Sequence, residues 1–229
     1  MDLHANLSKP AFTHAATLPW QASPLPGVDR RMLDRIGDEV ARATTIVRYA
    51  PKSYFSPHTH SGGEEFFVLE GTFSDEHGDY PQGTYVRNPV GSAHKPHSEE
   101  GCSILVKLQQ MDPADQIFVR TQTQIQNWHT GAHPGVEVMP LHTYQTEDVA
   151  LVRLASGARV ENNAHAGGVE IFVLSGEVSH AGDTYTTHDW LRFPPGEAHT
   201  LASIQGAVLF VKQGHLEAHT EDRPTLLSV

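Results

Sequence analysis

Residues 46–107 and 151–212 can be laid over one another without a gap, and 22 of the 62 positions are identical. The pairs include Arg48 with Arg153, Gly71 with Gly176, Tyr80 with Tyr185, Arg87 with Arg192, Pro89 with Pro194, His94 with His199 and Lys107 with Lys212. Upstream, "WQASPLPGV" (20–28) matches "WHTGAHPGV" (128–136) at an offset of 108, so the first copy carries three extra residues between Val28 and Ile46. A period near 105 residues exceeds that of solenoid repeats, and each copy is therefore expected to hold a core of its own. The resulting division is an N-terminal arm (1–17), a first domain (18–110), a linker (111–127), a second domain (128–215) and a C-terminal tail (216–229).

Both copies read as all-β. Runs such as "TTIVRYA", "EEFFVLEG" and "CSILVKL", and their counterparts "VALVRLA", "VEIFVLSG" and "AVLFVKQ", are rich in β-branched and aromatic residues and bounded by Gly, Pro, Asn and Asp. Many short strands without crossover helices point to antiparallel sandwiches or barrels. The single helical candidate is residues 29–43, where Met32, Leu33, Ile36 and Val40 recur at helical spacing around Gly37. The stretch 109–127, Gln-rich around a short "IFV", reads either as a linker or as a strand added to a neighbouring sheet edge.

Composition excludes several classes. A net charge of −11 without any Lys/Arg run repels phosphate backbones and argues against nucleic-acid partners. No stretch is long and apolar enough for a membrane span, and the first residues lack the charged-then-apolar order of a secretory signal, which leads to an expected cytoplasmic location. The lone cysteine, Cys102, rules out an intrachain disulfide and any CxxC motif and is expected to fill core space.

The first copy contains H-x-H-x3-E-x6-G as His58, His60, Glu64 and Gly71, followed by G-x5-P-x-G-x2-H as Gly83, Pro89, Gly91 and His94. These resemble the two cupin motifs in order and spacing, and the text "GGEEFFVLEGTFSDEHGDYPQGTYVRNPVGSAHKPHSEEGC" resembles the ChrR-like cupins. The resemblance implies a tandem bicupin of RmlC-like jelly-roll barrels, with His58, His60, Glu64 and His94 as metal ligands in the first. Lys52 and Ser98 depart from the usual Gly and Asn of the pattern, and in the second copy His188 replaces the Gly of the second motif while Gly157 is restored. In ChrR anti-sigma factors such a cupin is the sensory half; the Cys- and His-bearing sigma-binding segment of those proteins has no counterpart in the 17 residues before the first copy, so autonomous anti-sigma action is not expected.

Residue chemistry runs parallel to the resemblance. His58 and His60, two apart on a strand, leave the same face. Imidazoles with one carboxylate suit Zn, Fe(II), Ni, Mn or Cu. One divalent transition metal is expected in the first domain: Zn or Fe(II), with Ni or Mn as alternatives. Spacing to Gly71 favours Glu64 over Glu65, the latter matching Glu170 and expected to face away and pair with Arg87, as Glu170 would with Arg192. His97 reads as a loop residue or an outer partner of the site; His77 and His180 read as turn residues at the surface. In the second copy the ligand positions hold Asn163, His165, Val169 and His199, so that only a weak site of His165, His199 and Glu161 is conceivable. Two functions fit: an Fe(II)-type dioxygenase acting on a small chelating organic substrate, or a zinc-holding sensory protein. A homodimer is the expected assembly.

Overall fold

A computed structural model describes residues 1–38, 40–162 and 164–216. Each repeat forms an antiparallel barrel, and the two main sheets have matching strand orders. In the first, strands Val119–Gln122, Thr84–Asn88, Glu64–Asp75, Cys102–Leu108, Arg42–Tyr49, Val28–Ile36 and Gln21–Ala22 lie side by side. In the second, the order is Ala11–Thr13, Trp190–Phe193, Val169–His180, Ala207–Gln213, Glu147–Leu154, Val136–Tyr144 and His129–Thr130.

The outermost strands are exchanged. Ala11–Thr13, preceding the first repeat, pairs with Trp190–Arg192 of the second barrel, whereas Val119–Gln122, preceding the second repeat, pairs with Thr84–Arg87 of the first. The 109–127 segment thus contributes an edge strand and covers backbone groups that would otherwise invite aggregation.

Residues 29–43 form strands rather than a helix: Val28–Ile36 turns back into Arg42–Tyr49. The adjacent Met32 and Leu33 reflect a β-bulge between Met32 and Asp34 that inserts Leu33 and shifts the alternation by one residue, whereas Val40 lies between the strands and is exposed. Leu141 occupies the corresponding bulge between Pro140 and His142. Both leucines are buried in the cluster shared by the two barrels.

Alternation along Glu64–Leu69 places the rest. Phe66 and Val68 point into the first barrel with Ile104, Val86 and Phe73; Phe67 and Leu69 point outward to meet Phe172, Trp190 and Phe210 of the second. Each long strand bends between two sheets: Glu64–Gly71 pairs with Cys102–Leu108, and Thr72–Asp75 with Gly78–Pro81. Gly71, at φ +72°, sits at that bend, where a Cβ would collide with the Gly101 carbonyl oxygen; Gly176 does the same against Gly206. Cys102 is buried in the first barrel's core, and burial pushes its thiol up to about 11.

Among the apolar residues between the barrels lies a buried ionic ladder. Lys212 of the second barrel reaches Glu65 of the first (2.5 Å) and Glu147 (3.1 Å), while Lys107 of the first reaches Glu170 of the second. Arg87 pairs with Glu147 at 2.8 Å and Asp115 at 2.7 Å and stands 3.7 Å from Glu65; Arg192 pairs with Asp34 at 3.1 Å. Glu65 and Glu170 therefore face away from the barrel interiors, and their shortest ion pairs are to the lysine of the opposite repeat. Arg192 takes Asp34 instead of Glu170.

Candidate metal centre

His58 opens a two-residue strand, His58–Thr59, and His60 follows it; the strand pairs antiparallel with Ala93–His94 so that His94 lies opposite His58. Glu64 opens the next strand and points inward by the same alternation that buries Phe66. One ligand atom from each of His58, His60, Glu64 and His94 falls within 4.8 Å of all the others. Glu64 Oε2 is 3.4 Å from His60 Nε2 and 3.5 Å from His94 Nε2, and the three imidazole centroids are 4.7–5.0 Å apart. His60 Nε2 and His94 Nε2 are buried and have no hydrogen-bond partner. Buried orphan nitrogens converging on a carboxylate oxygen are costly unless they share a cation, so the donor set fits a borderline divalent metal.

Two of the four, Glu64 and His94, are held by a chain of outer contacts that runs from one to the other. Asn88 Nδ2 donates to Glu64 Oε2 (2.9 Å), and Arg120 Nη2 donates to Asn88 Oδ1 (2.6 Å). Arg120 Nε donates to the Tyr80 hydroxyl (3.1 Å), which donates to Asp75 Oδ1 (3.0 Å), and Asp75 Oδ2 lies 3.2 Å from His94 Nδ1. Burial pulls the His94 imidazole down, but the Asp75 hydrogen bond and the Glu64 charge outweigh it and leave its pKa raised. Burial lowers His60, with Glu64 opposing. Asp75, although burial raises it, is held below the carboxylate range by hydrogen bonds from His94, the His77 backbone and Tyr80. By fixing which His94 nitrogen faces inward, Asp75 acts as an outer ligand support. Replacing Asp75 with Asn should weaken metal binding roughly 10–100-fold, read by competition against a chromogenic chelator.

Sequence reasoning did not single out Asp75, Asn88, Tyr80 or Arg120 for the site. The repeat alignment nevertheless held the signal. At the offsets of 105 and 108, Glu64, Asp75, Asn88 and Arg120 become Val169, His180, Phe193 and Phe12. In the second barrel these residues form an aromatic cluster: Phe12 lies 5.5 Å from His180, 5.8 Å from Tyr185 and 5.6 Å from Phe193, and Phe193 stacks on His199 at 3.9 Å. The carboxylate ligand and three of the four outer supports have been exchanged for packing, while His165, His199 and Tyr185 are kept. His180 is half-buried in this cluster and not a free turn residue.

The other histidines fall elsewhere. Glu161 is exposed and pairs with Arg159, His165 Nδ1 accepts the Gly167 backbone N–H, and His199 is buried against Phe193, its pKa pushed down to about 4 chiefly by burial. Among the described residues these three do not form a ligand cluster; Asn163 lies outside the described residues, as do tail residues 217–229. His97 stacks on Tyr54 at 5.8 Å and stands outside the four-residue cluster.

Paired β barrels with a three-histidine, one-carboxylate cluster inside one of them define a bicupin. The sequence profile of the ChrR Cupin-like domain matches residues 8–112 and again 116–217, and the chain belongs to that family. A search of curated proteins finds no match. Among solved structures, a Nostoc punctiforme protein provisionally described as a dioxygenase is similar, with a TM-score of 0.76, 15% identity and coverage of 93% of this chain and 85% of that one. Also similar are the Escherichia coli pirin YhhW in complex with nickel(II) (TM-score 0.66, 14%, 90% and 98% covered) and a Lactobacillus farciminis oxalate decarboxylase in its formate complex (0.65, 12%, 90% and 86%). At these identities the likeness concerns the fold. No helix among the described residues is long and apolar enough to cross a membrane.

Proposed function

We propose that the chain is a metal-dependent oxygenase of the Fe(II) type acting on a small chelating organic substrate, with His58, His60, Glu64 and His94 holding the metal. One observation carries the reading: the cluster is set in the wall of a cavity of about 340 Å³, to which His58, His60 and Glu64 contribute. Among the described residues only this barrel combines a metal-ligand cluster with a cavity in the range of small-molecule pockets, about 300 Å³ and above. A redox-active divalent ion bound there would supply electrons to dioxygen and Lewis acidity to a chelating carbonyl compound. The chain's own part is to fix His94 and Glu64 through Asp75 and Asn88 and to line the rest of the cavity with Val28, Val47 and Phe55. The similar fold of the Nostoc protein described as a dioxygenase supports this reading.

The test is elemental analysis of protein purified without added metal or a histidine tag, for wild type and His60→Ala, followed by oxygen uptake with β-diketones. About one iron per chain, lost in the variant, together with substrate-dependent oxygen uptake is the expected result. One zinc per chain and no uptake would replace this reading with the sensory one.

A further inference from the structure

The same cavity occurs in both barrels, and comparing the two separates what the fold requires from what the metal-bearing copy adds. The second barrel's cavity, about 460 Å³, has apolar walls from Val138, Leu154, Val160 and Val169, with Thr143 at its rim. The corresponding residues around the first are Arg30, Tyr49, Phe55, Glu64 and Arg35. Where the carboxylate ligand is kept, two guanidiniums accompany it; where the ligand is lost, both are replaced by uncharged residues.

Arg30 is an unusual arginine. It is partly buried, its Nε is shielded from solvent without a hydrogen-bond partner, and no carboxylate among the described residues pairs with its guanidinium. Burial and the neighbouring Arg35 both lower its pKa, which means that its positive charge lacks compensation. Arg30 and Arg35 share the inward face because the bulge at Leu33 shifts the alternation between them. Glu64 is the one carboxylate in the cavity wall among the described residues, and its charge is committed to the metal. A divalent ion, one carboxylate and two arginines leave a strongly positive chamber inside a chain of net charge −11.

We infer that this cavity selects a small organic anion, a carboxylate whose other end chelates the metal, and that Arg30 with Arg35 forms its carboxylate-binding subsite. This rests on the metal reading given above. Arg35 Nη2 donates to the Asp38 backbone carbonyl, which holds that guanidinium in place, whereas the Arg30 guanidinium has no such partner among the described residues; a planar guanidinium with free donors is matched to a carboxylate. Arg30 accordingly is a specificity-determining residue and contributes nothing to holding the metal.

The probe pair is acetoacetate and acetylacetone, which offer the same 1,3-dicarbonyl chelate with and without a carboxylate. Each is titrated into cobalt(II)-loaded wild type, Arg30→Val and Arg30→Lys, followed through the visible cobalt absorption. Acetoacetate should bind wild type at least about tenfold more tightly than acetylacetone. Arg30→Val, which installs the side chain the second barrel carries there, should abolish that preference while cobalt content and acetylacetone affinity stay constant; Arg30→Lys should retain much of it. Equal affinities in wild type, or a preference that survives Arg30→Val, would overturn the inference. Failure to take up cobalt would instead sink the metal reading. Isothermal titration of acetoacetate into the metal-free wild type and Arg30→Val proteins would then decide the anion subsite, and heat independent of Arg30 would reject it.

Discussion

Replacing Lys212 with methionine is expected to destabilise the fold by about 3–5 kcal/mol, because it leaves a buried charge without its partner. Lys212 is fully buried and reaches both Glu65 and Glu147; without it Glu65 keeps only the Tyr85 hydroxyl at 2.6 Å and Arg87 at 3.7 Å. In thermal unfolding the loss should appear as a fall in Tm of about 10 °C or more. Changing Glu65 and Lys212 to methionine together should recover much of it, since an apolar pair of similar size avoids the desolvation of both ions. The pH dependence supplies a second reading. Burial alone would raise the Glu65 carboxyl, but Lys212 and then Arg87 overcome it and hold the pKa down to about 2. A folded-state pKa below the unfolded one gives stability that is present above the ordinary carboxylate range and lost as pH falls through about 4.5 toward 2. Wild type should show this acid loss, and Lys212→Met should show less of it. An unchanged acid profile in the variant would show that the ladder is not what holds Glu65 ionised.

The second large effect is on metal content. Glu64→Ala should reduce the metal retained through purification from about one per chain to a small fraction, exceeding the roughly 100-fold associated with losing an outer support. Val169→Ala, at the matching position of the second barrel, should leave it unchanged. Glu64 lies within 3.5 Å of two imidazole nitrogens, whereas Val169 sits in an apolar core with Ile171 and Leu191. Equal loss in the two variants would undo the division of roles between the barrels.

Much of this was legible in the sequence. The duplication and the turn-bounded β-branched runs specify two all-β barrels, and the motif spacing singles out the four side chains that converge. Glu64 and Glu65 are separated by strand alternation, a period-two property that short sequence patterns carry well. What was not legible depends on contacts between distant segments. Arg87, Lys107, Arg192 and Lys212 recur in both repeats, yet nothing local says that each lysine crosses to the other barrel. Within 29–43, the side-by-side Met32 and Leu33 come from a bulge whose extra residue, Leu33, is buried in the inter-barrel core, and Val40 is an exposed residue between strands that happens to continue the pattern. Arg120 belongs to the site only because its strand crosses to the first barrel, which a Gln-rich stretch does not announce. The pocket arginines Arg30 and Arg35 were hidden for the same reason, lying inside the segment that reads as a helix.

The exchanged edge strands change what the covalent connection between the repeats is for. Each half of the polypeptide begins in the sheet of the other, and the ion pairs between them are reciprocal. Cleavage between Asp112 and Pro113, outside both strand systems, therefore severs the covalent tether while leaving the exchanged strands in place, along with the buried Asp115 and its partners Arg87 and His142. The tether's main contribution is effective concentration, on the order of millimolar for a short connection. A nicked protein should elute as one particle and part into its halves only under conditions that also unfold them. In that sense the molecule is a dimer written as a single chain, and its two halves have been free to diverge, one towards chemistry and the other towards packing.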